Sequence, residues 1–243
     1  MRIRKPVLVK VSLLLFAAAA TAVPLGTVSA APTVVALWHM DEDAGATQMT
    51  DASGNNNHGS LTNAETGLAG HIGKSYYFGR VGLPSLADVP HSATLNPGTA
   101  DITLSMYAKF PKVPPAAVGD YDMVRKGLSS KTAGNYKMEI VPRNSGTIGR
   151  AYCLFKGTSG RGVLAKGPDL SDDQWYYIEC KKTATQVSLR VKATVGSFDQ
   201  TWTKSVVVGS IINSTNVYVG AKAPAGGDQY TGAMDEVKIE IGS

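Results

Sequence analysis

The chain has 243 residues, 43% of them hydrophobic and 18% charged, with 24 Lys and Arg against 19 Asp and Glu for a formal net charge of +5. Ordinary apolar content at this charge density excludes a disordered polymer, and the length suffices to bury roughly 70% of the surface an unfolded chain exposes. The 2 cysteines are too few for a disulfide scaffold or a four-ligand zinc site.

Residues 1–10 carry Arg2, Arg4, Lys5 and Lys10 with no acid, and residues 11–23 form an almost unbroken apolar run. Val28-Ser29-Ala30 then places small residues where a signal peptidase reads. This is the three-part plan of a secretory signal, with cleavage predicted after Ala30. The run is shorter than the ~20 residues a membrane span requires, and Pro24 closes it. Removing the four signal cations leaves 20 basic against 19 acidic residues. The basic excess therefore belongs to an export address, and a nucleic-acid partner loses its support. The mature chain, 31–243, is expected to be one secreted domain without a membrane span.

That mature chain reads as short alternating segments separated by turn residues, the pattern of a β-sandwich. In chain order the predicted strands are 33–39, 75–79, 102–110, 121–126, 135–141, 148–156, 174–182, 187–193, 216–221 and 233–241. Ile102, Leu104, Met106, Ala108 and Phe110 share one face of the clearest strand, and Val187, Leu189, Val191 and Ala193 share one face of another. Turn clusters such as 53–57, 144–146 and 224–227 separate them. The Pro-rich stretch 110–115 reads as a loop inside the domain. Cys153 and Cys180 both fall in predicted strands. In an exported protein such a pair points to a disulfide worth roughly 3–4 kcal/mol by chain entropy, with two buried thiols as the alternative.

The segments Ala36-Leu37-Trp38-His39-Met40-Asp41-Glu42 and 51–59, then 70–78, Leu95-Asn96-Pro97, Gln174-Trp175-Tyr176-Tyr177 and Gly232-Ala233-Met234-Asp235-Glu236-Val237, together resemble the laminin-G-like jelly-roll modules in order and spacing. The resemblance covers essentially all of 33–241. It implies an all-β fold of two antiparallel sheets, a jelly-roll β-sandwich of the concanavalin A-like lectin and glucanase architecture. It also implies a secreted, typically non-catalytic module that binds carbohydrate or protein. A disulfide resembling Cys153–Cys180 recurs in secreted bacterial examples of the family.

The same fold hosts glycosidases and lyases, so the acids need separate reading. The Glu-x-Asp-x-x-Glu string of the laminarinase-type enzymes is absent, and the nearest acids, Glu236 and Glu240, flank Lys238 and read as a solvated face. By strict alternation Asp235 shares its face with Val237, Ile239 and Ile241, where a carboxylate needs a partner. By analogy with the family's structural calcium, Asp41, Asp235 and a backbone carbonyl near Gly79 become the candidate Ca²⁺ ligands. Chain positions 78–80 read Phe-Gly-Arg where the family usually has Phe-Asp-Gly, and Arg80 offers an alternative counter-charge. The four histidines show no zinc spacing.

Tyr76, Tyr136, Trp202 and Tyr230 are the candidate sugar-stacking aromatics, while Trp38 and Trp175 are expected in the core. Asn213-Ser214-Thr215 forms a glycosylation sequon. The expected function is a secreted, non-catalytic and monomeric module for a glycan, cell-surface polymer or extracellular protein. The alternative is a secreted polysaccharide-degrading enzyme whose catalytic groups come from separate strands.

Overall fold

The computed structural model describes residues 1, 3, 31–80, 82, 84–111, 119–128, 130–143 and 148–242. The predicted signal segment, most of the 110–115 stretch and the 144–146 turn lie outside the described residues. Strands are numbered along the chain.

Two sheets form, and every named strand pair is antiparallel. Sheet A runs in the order β14 (Asp199–Ser205), β13 (Gln186–Ala193), β12 (Trp175–Lys182), β7 (Ile102–Lys109), β16 (Gly232–Ile241), β5 (Lys74–Phe78), β4 (Glu65–Ala69). β1 (Thr33–Trp38) pairs with the second half of β16. Sheet B runs β11 (Arg161–Lys166), β10 (Ile148–Lys156), β9 (Asn135–Arg143), β8 (Tyr121–Lys126), β15 (Val217–Val219), β6 (Leu86–Val89), β3 (Gly59–Thr62), β2 (Gln48–Met49). Half of the strand pairings join strands that are not consecutive in sequence, the mark of a jelly roll rather than a simple meander.

Alternation explains the core. β7 turns Ile102, Leu104, Met106 and Ala108 inward, and β12 and β13 add Ile178, Leu189 and Val191. Sheet B answers with Tyr136, Met138, Ile140 and Phe155, all fully buried. Each such side chain contributes about 1.5–3 kcal/mol by leaving water. Cys153 on β10 and Cys180 on β12 are bonded across the two sheets with Cα atoms 5.7 Å apart, so the disulfide staples the sandwich. Trp38 is buried as expected, and its indole N–H donates to the Asn57 carbonyl at 2.8 Å.

Strict alternation fails at two bulges. In β16 the register against β7 shifts between Asp235 and Lys238, and Glu236 takes φ 52°. One extra residue there turns Asp235 to the side of its partner Tyr107, away from Val237 and Ile239. The expected shared face of Asp235 with Val237, Ile239 and Ile241 is therefore corrected: Asp235 lies on the outer face of sheet A. In β8 the register shifts between Asp122 and Val124, which brings Asp122 and Arg125 to the same side although three residues separate them.

The sequence missed the strands β2, β3, β4, β6, β11 and β14. β14 is the most instructive, because its residues are almost all exposed and it carries no apolar face to signal it.

Candidate functional sites

The outer face of sheet A is built on three adjacent strands. Tyr107 of β7 stands opposite Tyr177 of β12, with ring centroids 5.5 Å apart. Alternation puts Trp175 two residues before Tyr177 on the same face, so this indole is half-buried at the surface instead of in the core as expected. Arg190 and Lys192 of β13 continue the face, and Arg190 grips Asp199 of β14 through two hydrogen bonds of 2.8 and 2.6 Å. Burial, followed by the Glu179 carboxylate that accepts its hydroxyl at 2.9 Å, holds the Tyr177 phenol above its ordinary pKa.

The hairpin turn Gly70-His71-Ile72-Gly73 folds over this face. It places the His71 ring 4.1 Å from the Tyr107 ring and 6.3 Å from that of Trp175. Two carboxylates hold the turn. Asp235, fully buried beneath it, accepts the Ile72 N–H at 2.7 Å, and Asp41 accepts the Lys74 N–H at 2.6 Å. The glycines are dictated by this closeness. A Cβ on Gly70 would stand 2.1 Å from the Lys74 carbonyl oxygen, and one on Gly73, at φ +61°, 2.4 Å from Asp41 Oδ1. Burial pushes the Asp235 carboxyl up to about 6 against the opposing pull of the Ile72 amide.

Two cavities open on either side of the His71–Trp175 contact. One of about 420 Å³ is lined by His71, Tyr107, Tyr177, Arg190 and Lys192 among others. The second, about 330 Å³, is bordered by Trp175, Tyr77, Arg80, Lys109 and Asp173. Arg80 lies 4.0 Å over the Tyr77 ring and 2.9 Å from Glu65, the counter-charge role foreseen for it.

The predicted calcium set is brought together only in part. Asp41 and Asp235 converge on the 70–74 turn, where one oxygen of each accepts a backbone N–H. Gly79 sits at the opposite end of β5, beside Tyr230 and Thr231, roughly 16 Å along the strand from Lys74. These three residues do not make one oxygen cage, and no calcium chemistry is derived from them. The expected aromatic platforms are corrected too. Tyr76, Tyr136 and Tyr230 are fully buried on the inner side, and Trp202 faces inward against the core beside Phe198. Tyr76 hydrogen-bonds Glu42, Tyr136 donates to the Leu95 carbonyl, and Tyr230 reaches the Lys109 and Ala233 carbonyls. Tyr77, which alternates with Tyr76, and Tyr177, which alternates with the buried Tyr176, hold the surface instead.

The outer face of sheet B carries a different constellation, which sequence reasoning missed. Asp122 of β8 and Glu139 of β9 are cross-strand partners and fully buried. Arg125 Nε lies 2.7 Å from Asp122, and its NH2 lies 3.1 Å from Glu139 and 3.9 Å from Asp228. Lys137 also pairs with Glu139. Burial, then Glu139 itself, pushes the Asp122 carboxyl up to about 9, so the pair shares a proton at neutral pH. Among the described residues, Asp122, Glu139 and Asp228 are the acids whose oxygens cluster within 4.8 Å. With one proton held by the pair, Arg125, Lys137 and Lys222 outnumber the ionised acids, which leaves no charge deficit for a cation. The signal was present: Lys137 and Glu139 alternate with Tyr136, Met138 and Ile140, placing charge on one face of a strand whose other face is core.

The other histidines serve locally: His39 meets Glu236 at 2.8 Å, and His58 accepts the Asp51 N–H. The sequon asparagine is committed as well. Asn213 donates to the Gly134 carbonyl and accepts from Thr215 and from the buried ammonium of Lys126. In the folded chain it has no free amide for a glycan.

The folded chain thus defines an antiparallel jelly-roll β-sandwich with one aromatic, cation-bearing outer face and one buried ionic face. Neither a protein-family model nor a curated protein matches the sequence. Solved structures with similar folds include the enzymatically active domain of bacteriophage CBA120 tailspike protein 2, with 14% identity and TM-score 0.54 over 91% of this chain and 30% of that one. The botulinum neurotoxin serotype D binding domain matches with 10% identity and TM-score 0.53, over 85% of this chain and 47% of that one. Trypanosoma rangeli sialidase matches with 14% identity and TM-score 0.53, over 85% and 30%. The chain spans less than half of each of these structures, and at such identities the likeness is one of fold.

Proposed function

We propose that the mature chain is a secreted, non-catalytic module that binds carbohydrate or a related cell-surface polymer through the outer face of sheet A. The observation that carries this reading is the group of half-buried rings, Tyr107, Tyr177, Trp175 and Tyr77, set beside two cavities on a rigid sheet. Aromatic rings present a flat apolar body to the C–H face of a sugar, while neighbouring polar groups fix its hydroxyls. The fold neighbours support it in a general way, since a neurotoxin binding domain and a sialidase both use related sandwiches. Affinity electrophoresis against a polysaccharide panel is the test. Retardation by at least one polymer that is lost in Tyr107→Ala and Tyr177→Ala is expected, and no retardation by any polymer overturns the proposal.

The second reading, a polysaccharide-degrading enzyme, is favoured by one observation: Asp122 and Glu139 are close carboxyl groups from separate strands, one of them protonated. Against it, a retaining glycosidase holds its carboxyls about 5 Å apart around the substrate, whereas these two are in mutual contact and fully buried. Release of reducing ends by the wild type, abolished in Glu139→Gln, would favour this reading over binding alone.

A further inference from the structure

The two cavities on sheet A are neighbours with different walls and a common ridge. One lies over β7, β12 and β13, the other over β5, β16, β7 and the start of β12. From β13 to β5 there are four inter-strand gaps, about 19 Å at roughly 4.8 Å each. That span is too long for one sugar ring and suits a short run of them. Between the cavities, His71 and Trp175 form a saddle, with the His71 ring tilted against that of Tyr107 and held there by the turn that Asp235 and Asp41 secure. Both cavities present cations. Arg190 and Lys192 border the first, Arg80 and Lys109 the second, while among the described residues Asp173, 3.6 Å from Lys109, is the one carboxylate bordering either. Asp199 and Glu65 pair with Arg190 and Arg80 from outside the cavity walls.

We infer that the two cavities are successive subsites for a single linear, acid-bearing polysaccharide that crosses the strands of sheet A over the His71–Trp175 saddle. The inference rests on the binding function proposed above and adds the ligand's shape and charge. Aromatic rings on both sides, Tyr177 in one cavity and Trp175 in the other, receive sugar faces, and the flanking cations receive carboxylate or sulfate groups. A ligand that fills both subsites gains from linkage, because the second contact forms within an already bound chain.

Titration calorimetry on the full mature chain with size-graded oligogalacturonates, chondroitin sulfate oligosaccharides and cello-oligosaccharides tests this. Affinity is expected to rise about a hundredfold or more from a single residue to about four and then level off. One of the acidic series should exceed the neutral one and weaken with added salt. The two acidic series separate a carboxylate requirement from a sulfate requirement. Lys192→Ala and Arg80→Ala alter partly exposed side chains at opposite cavities, and each should flatten the length dependence while circular dichroism stays unchanged. A monosaccharide that binds as tightly as the tetramer, a neutral series that binds as tightly as both acidic ones, or variants without effect would overturn the inference. Silence from all three series also overturns it, whereas the polysaccharide panel decides separately whether the face binds glycans at all.

Discussion

The proton shared by Asp122 and Glu139 makes stability depend on pH in a predictable direction. Asp122 keeps its proton in the folded chain from its ordinary value of 3.8 up to about 9, because burial and the Glu139 carboxylate oppose ionisation. In the unfolded chain the same carboxyl ionises near 4. Between those limits the folded state binds one more proton than the unfolded state, so this group's contribution to stability is present at acid pH and lost as pH rises. One proton corresponds to about 1.4 kcal/mol per pH unit. Across three units, pH 5 to 8, the limiting loss is about 4 kcal/mol, reduced to the extent that Asp122 and Glu139 titrate as a pair. Asp122→Asn mimics the protonated acid in shape and removes the titration. Urea unfolding of wild type and Asp122→Asn at half-unit steps from pH 5 to 8 measures the difference directly, since all other groups contribute to both. The variant should gain stability relative to wild type as pH rises. Parallel curves would refute the shared proton. Glu139→Gln acts oppositely: it strands the buried ammonium of Lys137, removes one partner of Arg125, and should cost about 3–5 kcal/mol at pH 7.

Other consequences concern the framework. Cys153→Ser with Cys180→Ser should lower the unfolding free energy by about 3–4 kcal/mol, read as a shifted urea midpoint. Asp51 accepts N–H groups from Leu37, Ser53 and Asn57, which overcome the upward push of burial and lower its pKa. Its stabilisation is therefore present above pH 4 and lost as pH falls below it, and Asp51→Ala should cost about 2–4 kcal/mol at pH 7 in the same assay. A chelator should leave the melting temperature unchanged, because Asp41, Asp235 and Gly79 do not converge on one site; a fall of several degrees would show that an ion is held at the 70–74 turn.

What was legible in the sequence was whatever depends on local alternation. β7 and β13 follow it without interruption, and their inner residues were read correctly, whereas Trp175 of β12 was assigned to the core although its strand turns it outward. The inter-sheet disulfide was legible because the chain carries one pair of cysteines, both in predicted strands behind an export-like leader. Faces were misread where nothing local reports parity. Tyr76-Tyr77 offers two rings in a row, and only pairing of β5 with β16 decides which one points out. The bulge at Glu236 carries no glycine to announce it, yet it turns Asp235 onto the other side of the sheet. The turn at 70–73 reached the candidate site through tertiary folding alone: in sequence it looks like any hairpin loop, and only the packed chain lays His71 on Tyr107.

The two outer faces differ in what a ligand would have to displace. On sheet B, the guanidinium of Arg125 and the ammonium of Lys137 are 4% and 7% exposed and already paired with acids that are 0% exposed. A substrate reaching Glu139 must break buried ion pairs, each break costing about 3–5 kcal/mol before any contact is gained. On sheet A, Arg190 and Arg80 are 38% and 51% exposed, so their pairs with Asp199 and Glu65 are weak ones that a ligand anion can replace at little cost. The rings beside them are half-exposed and held on strands, so little side-chain entropy remains to be lost on contact. The charges of sheet B accordingly serve to fix the fold, and those of sheet A stay available to a partner. A ligand that protected Tyr107 and Tyr177 from chemical modification while leaving the pH dependence set by Asp122 intact would demonstrate that division. Protection of neither ring, with loss of that pH dependence on ligand addition, would move the binding site to sheet B.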